Sequence, residues 1–189
     1  MTTVALAYET DRPQADVAVC AGRVLLLAGV CFGAANLFQW GVQSGALGLH
    51  PAALALSWPV AVGIFFTGLF RLRRAGGEAA RRVAGWSRLG VALMVGAALA
   101  LAGVSALTGN WELMRLTSAA TLGLYGLAWL VALGRTGRPN TGIIALVAFA
   151  GSGLQVLTAG TPDQYVFQAF TLALIALLPG LWLALGRRL

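Results

Sequence analysis

The chain is predicted to be all-α and polytopic: six transmembrane helices in three hairpins, with both termini cytoplasmic. Three observations carry this. Apolar stretches of about twenty residues recur six times, each long enough to cross a hydrocarbon core about 30 Å thick. The connections between them are short and hold arginine, glycine or proline. The arginines crowd alternate connections, and basic residues are retained on the cytoplasmic side.

Residues 1–21, with Glu9, Asp11, Arg12, Pro13 and Asp16, lack the basic start and adjoining apolar core of a cleaved signal peptide. They are read as a cytoplasmic N-terminal tail, and 22–189 as a single bundle. Span 1 covers 22–44 and ends before the His50-Pro51 turn; span 2 covers 52–72 and runs into Arg73 and Arg74. Span 3, 87–108, starts beside Trp86 and Arg88, and span 4, 113–134, stops before Arg135 and Arg138. Span 5, 141–160, follows Pro139; span 6, 165–186, meets Arg187 and Arg188.

Arg71, Arg73, Arg74, Arg81, Arg82 and Arg88 share one connection, with Arg135, Arg138, Arg187 and Arg188 on the same side; the opposite loops hold only Arg115. That asymmetry sets the orientation. Trp86 falls at the cytoplasmic boundary and Trp40, Trp58 and Trp111 toward the other, as interfacial indoles do.

GVSALT at Gly103 to Thr108 recurs as GLQVLT at Gly153 to Thr158, and WLVALGR at Trp129 to Arg135 recurs as WLALGR at Trp182 to Arg187. The offset of about fifty residues points to parallel hairpin repeats rather than the inverted repeats of many transporters. In topology and length alone the plan resembles the small six-span acid-resistance membrane proteins of the HdeD type, and that resemblance assigns no residue a role.

Composition agrees. The 189 residues are 59% hydrophobic and 10% charged, against about 25% charged in a soluble domain. All 13 basic residues are arginine, read as the codon bias of a GC-rich bacterium and placing the chain in a bacterial inner membrane. The net charge of +7 lies beside the spans, so the implied partner is a bilayer with anionic lipid at its cytoplasmic face, not nucleic acid. The six arginines from Arg71 to Arg88 are the expected lipid contacts. Cys20 and Cys31, eleven residues apart on a helix, are about 16 Å from each other, too far for a disulfide. Two cysteines and one histidine fall short of a structural zinc set, so neither metal nor cofactor is expected.

Small residues four apart lie on single helix faces: Gly29 with Gly33, Ala92 with Gly96, Ala119 with Gly123, and Ala176 with Gly180 and Ala184. Such faces let backbones approach within the bundle or at a dimer seam, leaving room for a homo-oligomer or a larger membrane complex. Pro59 and Pro179 fall inside spans 2 and 6 and should kink them.

Glu9, Asp11, Asp16, Glu78, Glu112 and Asp163 all lie in tails, loops or span ends. With no embedded carboxylate and one loop histidine, His50, the sequence speaks against proton-coupled transport and against an enzyme. Glu112 and Arg115 form a surface ion pair or the mouth of an anion site.

Uncharged polar residues gather in the outer half. Asn36, Gln39 and Gln43 share a face of span 1; Thr117, Thr121 and Tyr125 one of span 4; Gly151, Gln155 and Thr158 one of span 5; Gln164, Gln168 and Thr171 one of span 6. The inner halves of spans 3 and 5 are apolar. Two arrangements fit: a hydrogen-bonded network between helices, or a small pocket open to the periplasm and closed below. The function expected is noncatalytic, an accessory, stress-related or sensory component; the alternative is a facilitator or channel for a small neutral solute.

Overall fold

The computed structural model describes the backbone of residues 2–75 and 77–187, with side chains from residue 17 onward. Arg188 and the side chains of Glu9, Asp11, Arg12, Pro13 and Asp16 lie outside the described residues. The fold is all-helical: α1 (Thr2–Gln43), α2 (Leu54–Ala75), α3 (Gly77–Thr108), α4 (Thr117–Thr136), α5 (Pro139–Leu157), α6 (Asp163–Leu172) and α7 (Leu178–Ala184). Short 3₁₀ turns at Pro51–Ala53 and Trp111–Leu116 precede α2 and α4, and a π-helical segment, Ala173–Leu177, joins α6 to α7. Six helical stretches are long and apolar enough to cross a membrane: Val17–Gln43, Pro51–Ala75, Gly77–Thr108, Trp111–Thr136, Pro139–Leu157 and Asp163–Ala184.

Two boundaries differ from the sequence expectation. Residues read as a tail are helical from Thr2, in one piece with span 1. Most of the basic connection is helix as well: Arg73 and Arg74 extend α2 past Arg71, while Arg81 and Arg82 lie ahead of Arg88 in α3, which starts ten residues before the expected span. The cause is local. Ala, Arg and Glu are good helix formers, Glu78 in the first turn opposes the helix dipole, and its carboxylate pairs with Arg82 four residues on. Gly77, at φ +63°, makes the reversal between α2 and α3 in a conformation costly for any residue with a Cβ.

The other turns are fixed by recognisable caps. His50 Nδ1 accepts from Ala52 N at 3.2 Å, ahead of Pro51. Asn110 Oδ1 accepts from Glu112 N at 3.1 Å. Gly137, left-handed at φ 64°, donates its N–H to Leu133 O, and Pro139 then opens α5.

Each span packs on the next and the last returns to the first, so the six close a ring, with α1 also touching α3. The tightest pairings are α4 with α5, and α1 with α6 and α7. At the second of these, backbones meet directly: a Cβ on Gly180 would lie 2.8 Å from Leu26 N and 3.0 Å from Gly22 O. On the α4/α5 side, Gly126 lies against the Phe149 ring and Ser152 Oγ donates to Ala119 O at 2.7 Å. Small residues therefore serve close packing on α4 and α7, as their spacing predicts.

The face of Ala92 and Gly96 does not. α3 is buried near its ends, at Ala80, Val83, Ala84 and Ser105, while Ala92, Leu93, Gly96 and Leu99 between them are exposed. Among the described residues nothing lies within 4 Å of a Cβ at Gly90, Gly96 or Gly103. Two apolar clusters fill the remaining core, one of Val24, Cys31, Phe65, Leu69, Val83 and Ala84, the other of Leu122, Ile144, Ala148 and Ile175. Both cysteines are free thiols.

A layer of bare carboxamide oxygens as candidate functional site

Among the described arginines only Arg115 lies at the end where α1 stops and α2 starts, so the two ends of the ring are arginine-rich and arginine-poor. The candidate polar residues sit toward the arginine-poor end. Asn36 and Gln39 on α1, Gln155 on α5, and Gln168 and Thr171 on α6 are all buried, with Asn36 1% and Gln155 0% exposed. Each amide stands within about two helical turns of its helix's arginine-poor end.

Contacts along the helices set the register. Gly29 lies against Leu177 and Gln43 Nε2 donates to Tyr165 Oη at 3.0 Å, which puts Gln39 level with Gln168. Gly151 meets Thr171 and Gln155 Nε2 donates to Gln164 O at 2.9 Å, which puts Gln155 on the same level. Three amides from three spans thus occupy one layer, with Asn36 a turn below.

The orientation of two carboxamides is dictated by their partners. Asn36 Nδ2 donates to Phe32 O at 2.7 Å and Gln155 Nε2 to Gln164 O. Backbone carbonyls only accept, so a reversed amide would set oxygen against oxygen. Gln39 Nε2 donates to Ser57 Oγ at 2.9 Å, whose own proton goes to Leu54 O, so that hydroxyl also acts as acceptor. The amide N–H donors of Asn36, Gln39 and Gln155 are all turned toward protein. Asn36 Oδ1, Gln39 Oε1, Gln155 Oε1 and Gln168 Oε1 are buried and have no hydrogen-bond partner among the described residues. A buried carbonyl left bare costs about 1–3 kcal/mol, and four in one region form a field of acceptors.

The amides bond hydroxyls and backbone of neighbouring helices, Gln39 to Ser57, Gln43 to Tyr165 and Gln155 to Gln164 O, and no amide-to-amide side-chain bond occurs among the described residues. The threonine hydroxyls bond locally. Thr117 donates to Met114 O, Thr121 to Ser118 O, Thr158 to Leu154 O and Thr171 to Phe167 O, all within their own helix or the turn before it. These satisfy themselves and offer little to a ligand. Gln43 is exposed at the rim, and Tyr125 reaches across to Ile175 O at 3.1 Å, below the layer.

Gln164 and Ser105 are buried polar residues as well. Gln164 is the hub between elements: its Nε2 donates to Arg115 O at 2.9 Å and its Oε1 accepts from Gly160 N at 3.1 Å. Its place on the Gln168 and Thr171 face was visible in the spacing. Ser105 is wholly buried on α3, its Oγ also without a partner among the described residues. The signal there was the repeat, because GVSALT aligned on GLQVLT sets Ser105 on Gln155, the two polar side chains most completely enclosed in their spans.

Around the site, Arg115 is ion-paired with Glu112 at the exposed rim. Among the described residues no three His, Cys, Asp or Glu side chains gather as a metal site would need. Away from the layer, α2 borders two grooves: one of about 480 Å³ on its α1 side with Arg71 in its wall, the other of about 380 Å³ on its α3 side, walled by Arg73 and Arg88.

No known protein family, characterised protein or solved structure matches the chain.

Proposed function

We propose that the protein is a noncatalytic component of a bacterial inner membrane, accessory, stress-related or sensory in role, that binds a small hydrogen-bond-donating solute in its periplasmic half. Its spans form three hairpins with both termini cytoplasmic, the arginine-rich end facing anionic lipid, and it works alone, as a homo-oligomer or within a larger membrane complex. The arginine asymmetry supports the orientation. One observation carries the binding role: Asn36, Gln39, Gln155 and Gln168 hold buried carbonyl oxygens with no partner among the described residues in one half of the bundle, two of them fixed by backbone carbonyls. Such a surface repels anions and rewards N–H or O–H donors, so the ligand class is ammonium, a primary amine or a compact polyol.

The packing favours binding over passage. Toward the arginine-rich end the ring is filled by Val24, Cys31, Phe65 and Leu69 on one side and Ile144, Ala148 and Ile175 on the other, and α1 touches α7 backbone to backbone. A facilitator needs a polar path through that region.

Thermal unfolding of the purified protein in nanodiscs tests the reading, with ammonium chloride compared against tetramethylammonium chloride at equal ionic strength. The two cations share a charge, but only ammonium has N–H donors. A saturable rise in Tm with ammonium alone is expected. Equal responses to both salts, or none to ammonium, methylamine and glycerol, contradict the proposed ligand class.

A further inference from the structure

We infer that the groove between α2 and α3 seats one anionic phospholipid, its phosphate held by Arg73 and Arg88 and an acyl chain lying on Phe66, Leu69, Phe70 and Ala84. The inference rests on the proposed anionic-lipid contact of the arginine-rich end and narrows it from a charged surface to a discrete site.

The sequence builds the groove from two faces. Phe66, Leu69, Phe70 and Arg73 recur at i, i+3, i+4 and i+7 on α2, and Ala84 and Arg88 at i, i+4 on α3. Ala84, buried and small, leaves the volume that a larger residue would fill. The resulting groove of about 380 Å³ falls within the range of small-ligand sites and is apolar except for Thr67 and the two guanidinium groups.

The neighbouring arginines differ in their engagements. Arg82 is paired with Glu78, and the Arg74 guanidinium lies 4.2 Å from the centre of the Phe70 ring. Arg73 and Arg88 form no ion pair among the described residues, and both line the groove. A guanidinium beside an apolar channel matches a molecule with an anionic end and a hydrocarbon tail, because the fork binds phosphate oxygens while the floor removes the chain from competing contacts. The bilayer supplies that molecule at high concentration. Arg71 lines the far groove without a second arginine in that lining, so that groove lacks this pairing.

Native mass spectrometry of protein released from nanodiscs of phosphatidylglycerol and phosphatidylcholine counts retained lipid. A single retained phosphatidylglycerol is expected, its affinity falling about tenfold or more in the double variant Arg73→Gln/Arg88→Gln. The double variant Arg71→Gln/Arg81→Gln, with the same loss of charge, should keep it, and Arg73→Lys/Arg88→Lys should recover part of it. Equal losses in both glutamine pairs overturn the discrete seat and leave the diffuse surface standing. No loss in either overturns both. Unfolding curves of each variant show whether the fold is retained, and single substitutions at Arg73 and Arg88 replace any double variant that fails that check.

Discussion

The Tyr125 hydroxyl on α4 donates to the backbone carbonyl of Ile175, 3.1 Å away, in the π-helical segment of the sixth span. That carbonyl is the one a regular helix would pair with the N–H of residue 179. Residue 179 is proline and has no N–H. Leu178 N–H reaches back five residues to Ala173 O, the wider π turn makes room ahead of the proline ring, and the tyrosine hydroxyl donates to the carbonyl that Pro179 cannot serve. The kink foreseen from Pro179 therefore takes the form of a π segment locked from a neighbouring helix.

Tyr125→Phe should lower stability by about 1 kcal/mol, between the usual and the largest values for hydrogen bonds between membrane helices. Pro179→Ala restores the N–H donor, so Tyr125→Phe should cost less in that background. A double-mutant cycle by reversible unfolding in detergent measures the coupling. Equal costs in both backgrounds would show that the proline and the tyrosine are independent.

Glycines of one helix type should respond in opposite ways. Gly180→Val drives a side chain into Leu26 N and Gly22 O, where backbone cannot yield, and should cost about 2 kcal/mol or more. Gly96→Ala, with nothing within 4 Å, should be neutral or stabilising by up to about 1 kcal/mol. Thermal unfolding of the two variants side by side decides this.

The number of spans and the burial of Asn36, Gln39, Gln155 and Gln168 were legible because both follow from periodicity: twenty apolar residues cross a bilayer, and amides at helical spacing share a face. What those amides bond was not legible. Span 1 contains no sign that Asn36 turns its NH₂ back to Phe32 O, or that Gln39 finds Ser57 on α2, since such choices depend on inter-helix register. The helical character of 73–75 and 77–86 was hidden for another reason: their charge marked them as a connection, although their Ala, Arg and Glu content favours helix. The open face of Ala92 and Gly96 shows that small-residue spacing permits close approach without requiring it.

Orientation is testable without structure. Reporter fusions after residues 48, 110 and 162 should report the periplasmic side and those after 78, 138 and 189 the cytoplasm. A periplasmic C-terminus would place the carboxamide layer on the cytoplasmic side and remove the outward-facing reading.

The central claim is that the carboxamide layer exists to meet a donor, and Gln168→Leu tests it most directly. The substitution removes a buried carboxamide with no hydrogen-bond partner among the described residues, so ligand-free stability should hold or rise by about 1 kcal/mol, while loss of one hydrogen bond to a charged donor should weaken ammonium binding about tenfold or more. Ammonium titrations of wild type and variant, in the same nanodiscs, yield both quantities. Weaker binding in an equally or more stable protein is the predicted result; unchanged ammonium affinity would contradict the account.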